Sequence, residues 1–126
     1  MKKSIEIIEG SKGKKILMDI TFPKKSNNKL IVFSHGFKGF KDWGCFNLIS
    51  KRFAQNGFTF LKFNFSHNGT TIDDPLNFND LEAFGNNNFS IELNDLSLVL
   101  DWSVQNLDIS DITLLGHSRG GGVSML

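Results

Sequence analysis

The amino-acid sequence predicts an α/β protein, with an N-terminal antiparallel hairpin followed by parallel strands that have helices between them. Three observations support this prediction. Two short extended segments lie close together near the N-terminus, three apolar or aromatic segments of strand length follow, and apolar residues at helical spacing lie between those segments. A chain of 126 residues has room for one domain and a real core.

The hairpin is predicted from Ser4–Glu9 and Lys15–Phe22, which flank the turn-forming sequence Gly10-Ser11-Lys12-Gly13. Leu30–Ser34 (LIVFS) is a continuous apolar run, as is typical of a strand that is covered on both faces. Phe58–Phe65 (FTFLKFNF) is rich in aromatic residues and predicts another central strand. Ile112–Leu115 is predicted to be a third buried strand.

Two helices are predicted between these strands. The first has one apolar stripe, formed by Cys45, Phe46, Ile49 and Phe53, and is expected to stop at Asn56-Gly57. The second covers Ser90–Asn106, with Ser90 as N-cap and Glu92 suited to the first turn. Its predicted stripe consists of Leu93, Leu96, Leu100 and Val104.

The segment Ser66–Phe89 has no clear periodicity and contains six asparagines and three aspartates. A loop of this length inside a compact domain is usually functional or disordered. Phe78, Leu81 and Phe84 either line a substrate entrance or pack locally. His67, at the start of the loop, is expected to be solvated.

Composition restricts the possible partners and compartment. Lys and Arg number 14 against 13 Asp and Glu, a formal net charge of +1, so neither nucleic acid nor an anionic membrane is expected as a partner. The single Cys45 excludes an internal disulfide and fits a reducing compartment. The N-terminal sequence MKKSIEIIEG has no long apolar stretch behind its lysines, so no signal peptide is predicted. We therefore expect a cytoplasmic protein.

The most informative motif lies near the C-terminus, where an apolar segment of strand length runs into GHSRG, residues 116–120. A serine on a tight turn between a strand and a helix needs small residues on both sides, and Gly116 and Gly120 provide them. Such a turn lifts the Ser118 hydroxyl above the sheet and directs the Arg119 N–H towards a developing oxyanion. The motif therefore favours a nucleophilic Ser118 over a glycine-rich turn that only permits close packing.

A second motif, His35-Gly36-Phe37, directly follows Leu30–Ser34. An oxyanion hole of this type takes its second N–H from the loop after an early strand. Gly36 lets the backbone turn without a side-chain clash, and the Phe37 N–H is the expected donor. For His35, a structural role with its imidazole hydrogen-bonded under the loop is favoured over that of general base. Taken alone, the stretch fits an ordinary glycine-containing loop equally well.

Together, these motifs resemble those of the α/β-hydrolase superfamily, and the resemblance covers essentially the whole chain. HGFKGFKDWG, residues 35–44, is most similar to bacterial members of the serine aminopeptidase-like and dienelactone hydrolase-like groups. Residues 64–69 resemble a degenerate D-x-R-G-H-G stretch in which Asn64 and Ser66 replace Asp and Arg, so no role is transferred to them. The resemblance implies hydrolysis of a small-molecule ester, thioester, lactone or amide by a Ser–His–Asp/Glu triad, without a metal or organic cofactor.

In this family the nucleophile is followed in the chain by the acid and then by the histidine. Residues 119–126 contain no His, Asp or Glu. His117 is expected to point away from Ser118 Oγ, while His35 and His67 belong to other loops. We therefore expect residues 1–126 to be the N-terminal part of a single α/β-hydrolase domain of ~250 residues, cut after the nucleophile elbow and inactive alone. A non-catalytic remnant or binding module that keeps the fold is the alternative.

The remaining candidates are weaker. His35, His67 and Cys45 show no metal-ligand spacing, so no metal site is predicted. Cys45 is expected to pack against the protein as part of the first helix. Arg119 is expected to contribute mainly through its N–H, and covering of the entrance by its side chain is the second role considered.

Overall fold

The computed structural model describes all of residues 1–126. Five strands form one sheet in the order β1-β2-β4-β3-β5. Their bounds are Lys2–Glu9 for β1, Lys15–Phe22 for β2, Lys29–Ser34 for β3, Thr59–Phe63 for β4 and Asp111–Gly116 for β5. β2 is antiparallel to β1 and to β4, whereas β3 is parallel to both β4 and β5. The predicted hairpin and the predicted parallel strands are both confirmed.

Four α-helices accompany the sheet, and a short 3-10 helix, Ser11–Gly13, lies in the hairpin turn. The α-helices are α1 (Phe46–Gln55), α2 (Leu81–Asn86), α3 (Phe89–Asn106) and α4 (Arg119–Met125). None of them has the length and apolar character that crossing a bilayer requires.

The two faces of the sheet carry separate apolar clusters because side chains alternate along each strand. The larger cluster packs beneath α3 and α4 and consists of Ile16, Met18, Ile20, Leu30, Val32, Leu61, Phe63, Phe65, Leu96, Val99 and Val123. The smaller cluster lies beneath α1 and consists of Ile31, Phe33, Phe46 and Phe60. The alternating positions of β2 and β4 on the α1 face include two charged residues, Asp19 and Lys62, which are also buried.

The prediction that Ile112–Leu115 forms a buried strand is half correct. The strand exists, but β5 pairs only with β3 and forms an edge of the sheet. Leu114 is 37% exposed as a result, and Ile112 and Leu115 are partly covered. An apolar composition therefore indicated a strand but not the number of its neighbours.

The prediction for α3 is correct in position but wrong in two details. The N-cap is Asn88, whose side chain accepts a hydrogen bond from the Ile91 N–H at 2.9 Å, and not Ser90. The predicted apolar stripe is correct for Leu96 and Leu100, which pack in or against the larger cluster, but wrong for Leu93 and Val104, which are exposed. The buried positions of the helix are Ile91, Glu92, Asp95, Leu96, Val99 and Ser103. Three of these six residues are polar. Glu92 and Asp95 have partners in other parts of the chain, whereas the Ser103 hydroxyl donates to the Val99 carbonyl oxygen of the same helix.

Cys45 does not pack against the protein as expected. It is exposed at the N-cap position of α1, and the side chains that α1 buries are Phe46, Ser50 and Ala54. Ile49 and Phe53 are partly covered and pack against the smaller cluster. The buried face of α1 therefore begins at Phe46 and does not include Cys45.

The segment between β4 and α3 is more ordered than its sequence suggested. It contains the short helix α2, which is capped by Asp80 through a hydrogen bond from the Ala83 N–H at 3.1 Å. His67 was expected to be solvated but is only 4% exposed. His67 Nδ1 donates a hydrogen bond to Ser66 Oγ at 2.7 Å, because the single hydroxyl proton of Ser66 is donated to Asp95 Oδ2.

Candidate active site

Ser118 lies on a sharp turn between β5 and α4. Its backbone angles, φ 54° and ψ −117°, are a strained conformation for a residue with a side chain. A β-carbon on Gly116 would lie 2.4 Å from Gly121 Cα, and one on Gly120 would lie 2.1 Å from the carbonyl oxygen of Ser34. The close approach of strand, turn and helix therefore requires glycine at both positions. Ser118 itself is exposed at the end of the parallel strands.

The loop after β3 lies directly against this turn. A tight turn closes it, in which the Gly39 N–H donates to the carbonyl oxygen of Gly36 at 3.0 Å and Lys38 adopts a positive φ of 56°. A β-carbon on Gly36 would lie 3.2 Å from Ser118 Cβ and 3.0 Å from the His117 carbonyl oxygen. The structure therefore brings together the two motifs that the sequence singled out.

The N–H groups of Phe37 and Arg119 have no acceptor among the backbone carbonyls, and the same is true of Gly36, Lys38 and Ser118 at this junction. Arg119 is the first residue of α4, and the first N–H groups of a helix have no partner within the helix. The Phe37 N–H lies outside any helix or strand. Both groups can therefore donate a hydrogen bond to a ligand.

His35 fixes the direction of the Phe37 N–H. The Phe65 N–H donates to His35 Nε2 at 3.2 Å, so the ring proton is on Nδ1, which donates to the carbonyl oxygen of Gly36 at 2.9 Å. Because the Gly36–Phe37 peptide is planar and trans, this bond turns the Phe37 N–H to the opposite side. Burial lowers the pKa of His35 to about 4, so the ring is neutral near pH 7. Both ring nitrogens are thus engaged away from Ser118.

His117 forms one wall of an aromatic cleft beside the loop. Its ring centroid lies 5.9 Å from that of Trp43 and 5.6 Å from that of Phe46. With Phe37 and Gly36, these side chains line a cleft of about 200 Å³. Trp43 and Phe37 are 48% and 63% exposed, so two large aromatic surfaces lie open next to the serine turn.

The side chain of Arg119 extends to α3, a contact that the sequence did not predict. Its Nε donates to Glu92 Oε1, and its guanidinium lies 3.9 Å from the centroid of the Phe89 ring. Glu92 is buried, which raises its pKa, while the bond to Arg119 opposes that rise. The only signal in the sequence was the position of Glu92, an acidic residue that lies four residues before Leu96 and therefore on the same face of the helix. This ion pair holds α4 and its first N–H against α3.

The long segment between β4 and α3 lies at the same end of the sheet as Ser118. The ring of Phe84 contacts that of Phe37 at a centroid distance of 5.6 Å, and Phe78 contacts Phe84 and Phe40 at 6.4 and 6.0 Å. Leu81 is 68% exposed. Whether these side chains admit substrate stays a prediction.

No histidine of the chain is bonded to the serine. His35 bonds to Gly36 and Phe65, His67 bonds to Ser66, and the ring of His117 packs against the aromatic cleft. No group of three or more His, Cys, Asp or Glu side chains is arranged to hold a metal ion. The chemistry available within residues 1–126 is thus an exposed serine hydroxyl at a junction where several backbone N–H groups lack an acceptor.

The strand order, the parallel β4-β3-β5 set and the strained serine between β5 and α4 define the α/β-hydrolase fold. Comparison with solved structures shows the same fold. The sequence itself matches no protein-family model and no curated protein.

Three solved structures illustrate the likeness. Est1E from Butyrivibrio proteoclasticus, solved with bound ferulic acid, superposes with a TM-score of 0.76 at 23% identity over 96% of this chain and 45% of its own. XC6422 from Xanthomonas campestris, an α/β serine hydrolase without a lid, gives 0.76 at 17% identity over 98% and 54%. The α/β hydrolase GrgF from a Penicillium species gives 0.78 at 20% identity over 99% and 40%. The chain thus spans about half the length of these proteins.

Proposed function

We propose that this chain is part of a serine hydrolase in which Ser118 is the nucleophile. The observation that carries the proposal is the strained serine turn, held against a loop whose Phe37 N–H, like that of Arg119, lacks a backbone acceptor. Strained backbone of this kind persists where the surrounding structure enforces it, and it is enriched at active sites. The fold of the solved serine hydrolases supports the same conclusion.

In the proposed reaction, Ser118 Oγ attacks the carbonyl carbon of an ester, thioester, lactone or amide. The Oγ–C bond forms, the hydroxyl proton passes to a general base, and the carbonyl electron pair moves to the oxygen, which the Phe37 and Arg119 N–H groups bind. Collapse of this intermediate expels the leaving alcohol, thiol or amine, which takes up that proton. Water then hydrolyses the acyl-enzyme by the same route.

We propose that the base and its carboxylate partner come from polypeptide outside residues 1–126. Support comes from the three histidines of the chain, none of which is bonded to Ser118, and from the solved hydrolases, which are about twice as long. Without a base, the serine hydroxyl stays protonated and weakly nucleophilic near pH 7. Residues 1–126 alone should therefore turn over far more slowly than the longer protein, by a factor on the order of a million.

The aromatic cleft favours an apolar or flat group next to the reacting carbonyl. Phe37, Trp43, Phe46 and His117 line this cleft, and Est1E was solved with a flat aromatic acid. Aryl and aromatic acyl esters are therefore the first substrates to compare with p-nitrophenyl acetate.

The test is fluorophosphonate labelling of the full-length protein, with p-nitrophenyl ester turnover measured in parallel. The probe should label Ser118, and Ser118→Ala should abolish labelling and turnover. Ser97→Ala, at an exposed serine of α3, is the matched control and should retain both. If Ser118→Ala keeps wild-type turnover, Ser118 is not the nucleophile, and a non-catalytic role for the fold becomes the better account.

A further inference from the structure

Four buried or half-buried charges contact one another on the α1 face of the sheet, and Lys3 Nζ on β1 lies 3.5 Å from Oδ2 of one of them, Asp19. The four are Asp19, Lys41, Asp42 and Lys62, referred to below as the charge square. Lys62 Nζ lies 2.8 Å from Asp19 Oδ2 and 2.6 Å from Asp42 Oδ1. Lys41 Nζ lies 2.9 Å from Asp19 Oδ2 and 2.6 Å from Asp42 Oδ2. Each ammonium group therefore contacts both carboxylates.

The charge square joins the sheet to the loop that carries the Phe37 N–H. Asp19 on β2 and Lys62 on β4 are direct partners in the antiparallel register. Lys41 and Asp42 lie in the segment between β3 and α1, shortly after Phe37. Two charges are thus fixed on rigid strands, and two belong to a segment without regular secondary structure.

The side chains of the charge square are too deeply buried to form ordinary surface ion pairs. The side chains of Lys62, Asp19 and Lys41 are 1%, 3% and 5% exposed. Burial by itself raises the pKa of Asp19, but the bonds from Lys62 and Lys41 outweigh it and hold that pKa below its ordinary value. The same two lysines hold the pKa of Asp42 at about 2, against the opposing effect of burial. Both carboxylates are therefore ionised near pH 7.

A gain in the stability of the fold does not by itself explain buried charges at this position. The residue beside Lys62 on β3 is Phe33, and Phe60 lies on the same face of β4, so apolar packing is already present there. Buried ion pairs add little stability compared with apolar side chains of similar volume, because the charges must be removed from water. What the ions add is a defined geometry, since each ammonium must meet two carboxylates at hydrogen-bond distance.

Further bonds hold the same segment at neighbouring points. The Lys41 N–H donates to Asn64 Oδ1 at 2.6 Å, and Asn68 Nδ2 donates to the carbonyl oxygen of Gly39 at 3.2 Å. The Gly39 N–H in turn closes the tight turn on Gly36. A fixed Lys41 therefore fixes the turn that holds the Gly36–Phe37 peptide.

We propose that Asp19 and Lys62 are positioning residues for the oxyanion hole, which hold Lys41 and Asp42 and thereby set the place of the Phe37 N–H relative to Ser118. This proposal rests on the proposed hydrolase function. The two residues act only through the loop.

The experiment uses the full-length protein with the double substitution Asp19→Leu/Lys62→Met, which replaces the sheet half of the charge square by apolar side chains. For a p-nitrophenyl ester, kcat should fall roughly 10- to 100-fold while KM stays within about twofold, because a displaced donor is felt mainly in the transition state. The matched control is Glu9→Gln/Lys15→Met, which removes an exposed ion pair from the same hairpin. Both of its constants should be unchanged.

A second variant keeps the proposal testable if the double variant fails to fold. Asp42 is the most exposed member of the charge square, with 19% of its side chain exposed. Asp42→Asn should lower kcat selectively, and Asp42→Glu should recover most of the loss. Folded variants that keep the wild-type kcat, or that lose kcat only in parallel with thermal stability, would overturn the proposal.

Hydrogen exchange separates this proposal from the proposed function. In the double variant, the Gly39 and Lys41 amides should exchange faster, because their bonds to Gly36 and Asn64 depend on the loop position. In the Glu9/Lys15 control, they should exchange at the wild-type rate. Unchanged protection in the double variant refutes the positioning role. Full turnover by Ser118→Ala refutes the proposed function and with it the catalytic part of this proposal, while faster exchange in the double variant would still show that Asp19 and Lys62 hold the loop.

Discussion

Gly36 and Ser118 lie in contact although they belong to loops after different strands: a β-carbon on Gly36 would lie 3.2 Å from Ser118 Cβ. β3 and β5 are neighbours and parallel, with Ser34 opposite Gly116, so their carboxyl ends meet at one edge of the sheet. The same register lets the His117 N–H donate to the carbonyl oxygen of Ser34 at 3.0 Å. The proposed nucleophile and oxyanion loop are therefore placed by strand pairing.

Gly36→Ala should impair catalysis more than folding. The new methyl group would lie 3.0 Å from the His117 carbonyl oxygen and 3.2 Å from Ser118 Cβ, so the neighbours must move by a few tenths of an ångström. We expect kcat of the full-length protein to fall about tenfold or more, with a loss of thermal stability under about 1.5 kcal/mol. Steady-state kinetics and thermal unfolding measure the two effects. A wild-type kcat would show that the contact has no part in catalysis.

Gly120→Ala should prevent normal folding of the serine turn. Its methyl group would lie 2.1 Å from the carbonyl oxygen of Ser34, a backbone atom that cannot move without breaking the sheet. A destabilisation of at least about 3 kcal/mol is expected in urea unfolding. Gly122→Ala, in the same helix, meets nothing within 4 Å and should stabilise the protein by a few tenths to about 1 kcal/mol. Equal effects at the two positions would contradict this close packing.

The free energy of unfolding should depend on pH through His35. The unfolded chain takes up a proton near the ordinary pKa of 6.5, whereas the buried ring takes it up only near pH 4. Stability from this residue is therefore complete above pH 6.5 and falls as the pH drops from 6.5 to 4, by roughly 3 kcal/mol in all. Urea unfolding at several pH values measures the slope. His35→Asn keeps a donor for the Gly36 carbonyl and should flatten the slope, and an unchanged slope would assign it to other groups.

Asp95→Asn should strongly destabilise the protein. Asp95 Oδ1 accepts from the N–H and hydroxyl of Ser11 at 2.9 and 2.7 Å, and Oδ2 accepts from the same two groups of Ser66 at 2.8 and 2.7 Å. An amide must present its NH₂ to one of those backbone N–H groups, which leaves a buried donor without a partner. We expect a loss of about 2–4 kcal/mol in urea unfolding. Asp101→Asn, at an exposed position of α3, is the control and should change stability by less than about 0.5 kcal/mol.

The edge strand β5 should make residues 1–126 associate when they are expressed alone. β5 pairs only with β3, and its Leu114 is 37% exposed. Open apolar strand edges promote pairing with other chains, and a charge on the edge opposes it. Leu114→Lys should therefore shift the fragment towards monomer in analytical ultracentrifugation. A wild-type fragment that is monomeric at high concentration would contradict this expectation.

The sequence by itself determined the order of the elements. Extended segments around a turn and apolar or aromatic runs marked the strands. The elbow glycines were visible because their spacing around Ser118 is a local requirement of a tight strand–helix turn. The sequence predicts Ser90 as the N-cap of α3, whereas the structure has Asn88. Both are polar residues near the start of the helix, and only the hydrogen bond from the Ile91 N–H distinguishes them. Local signals of this kind fix an element to within a residue or two.

Only the tertiary structure decided which polar residues are buried. The burial of Asp95 could not be predicted from the apolar residues of α3, because its partners, Ser11 and Ser66, are distant in the sequence. Glu92 is likewise buried because Arg119 reaches it, and Asp19 because Lys41 and Lys62 converge on it. A buried charge is tolerated only where opposite charges or donors meet it. Those partners lie on separate segments, so they are brought together by the fold and carry no local pattern in the sequence.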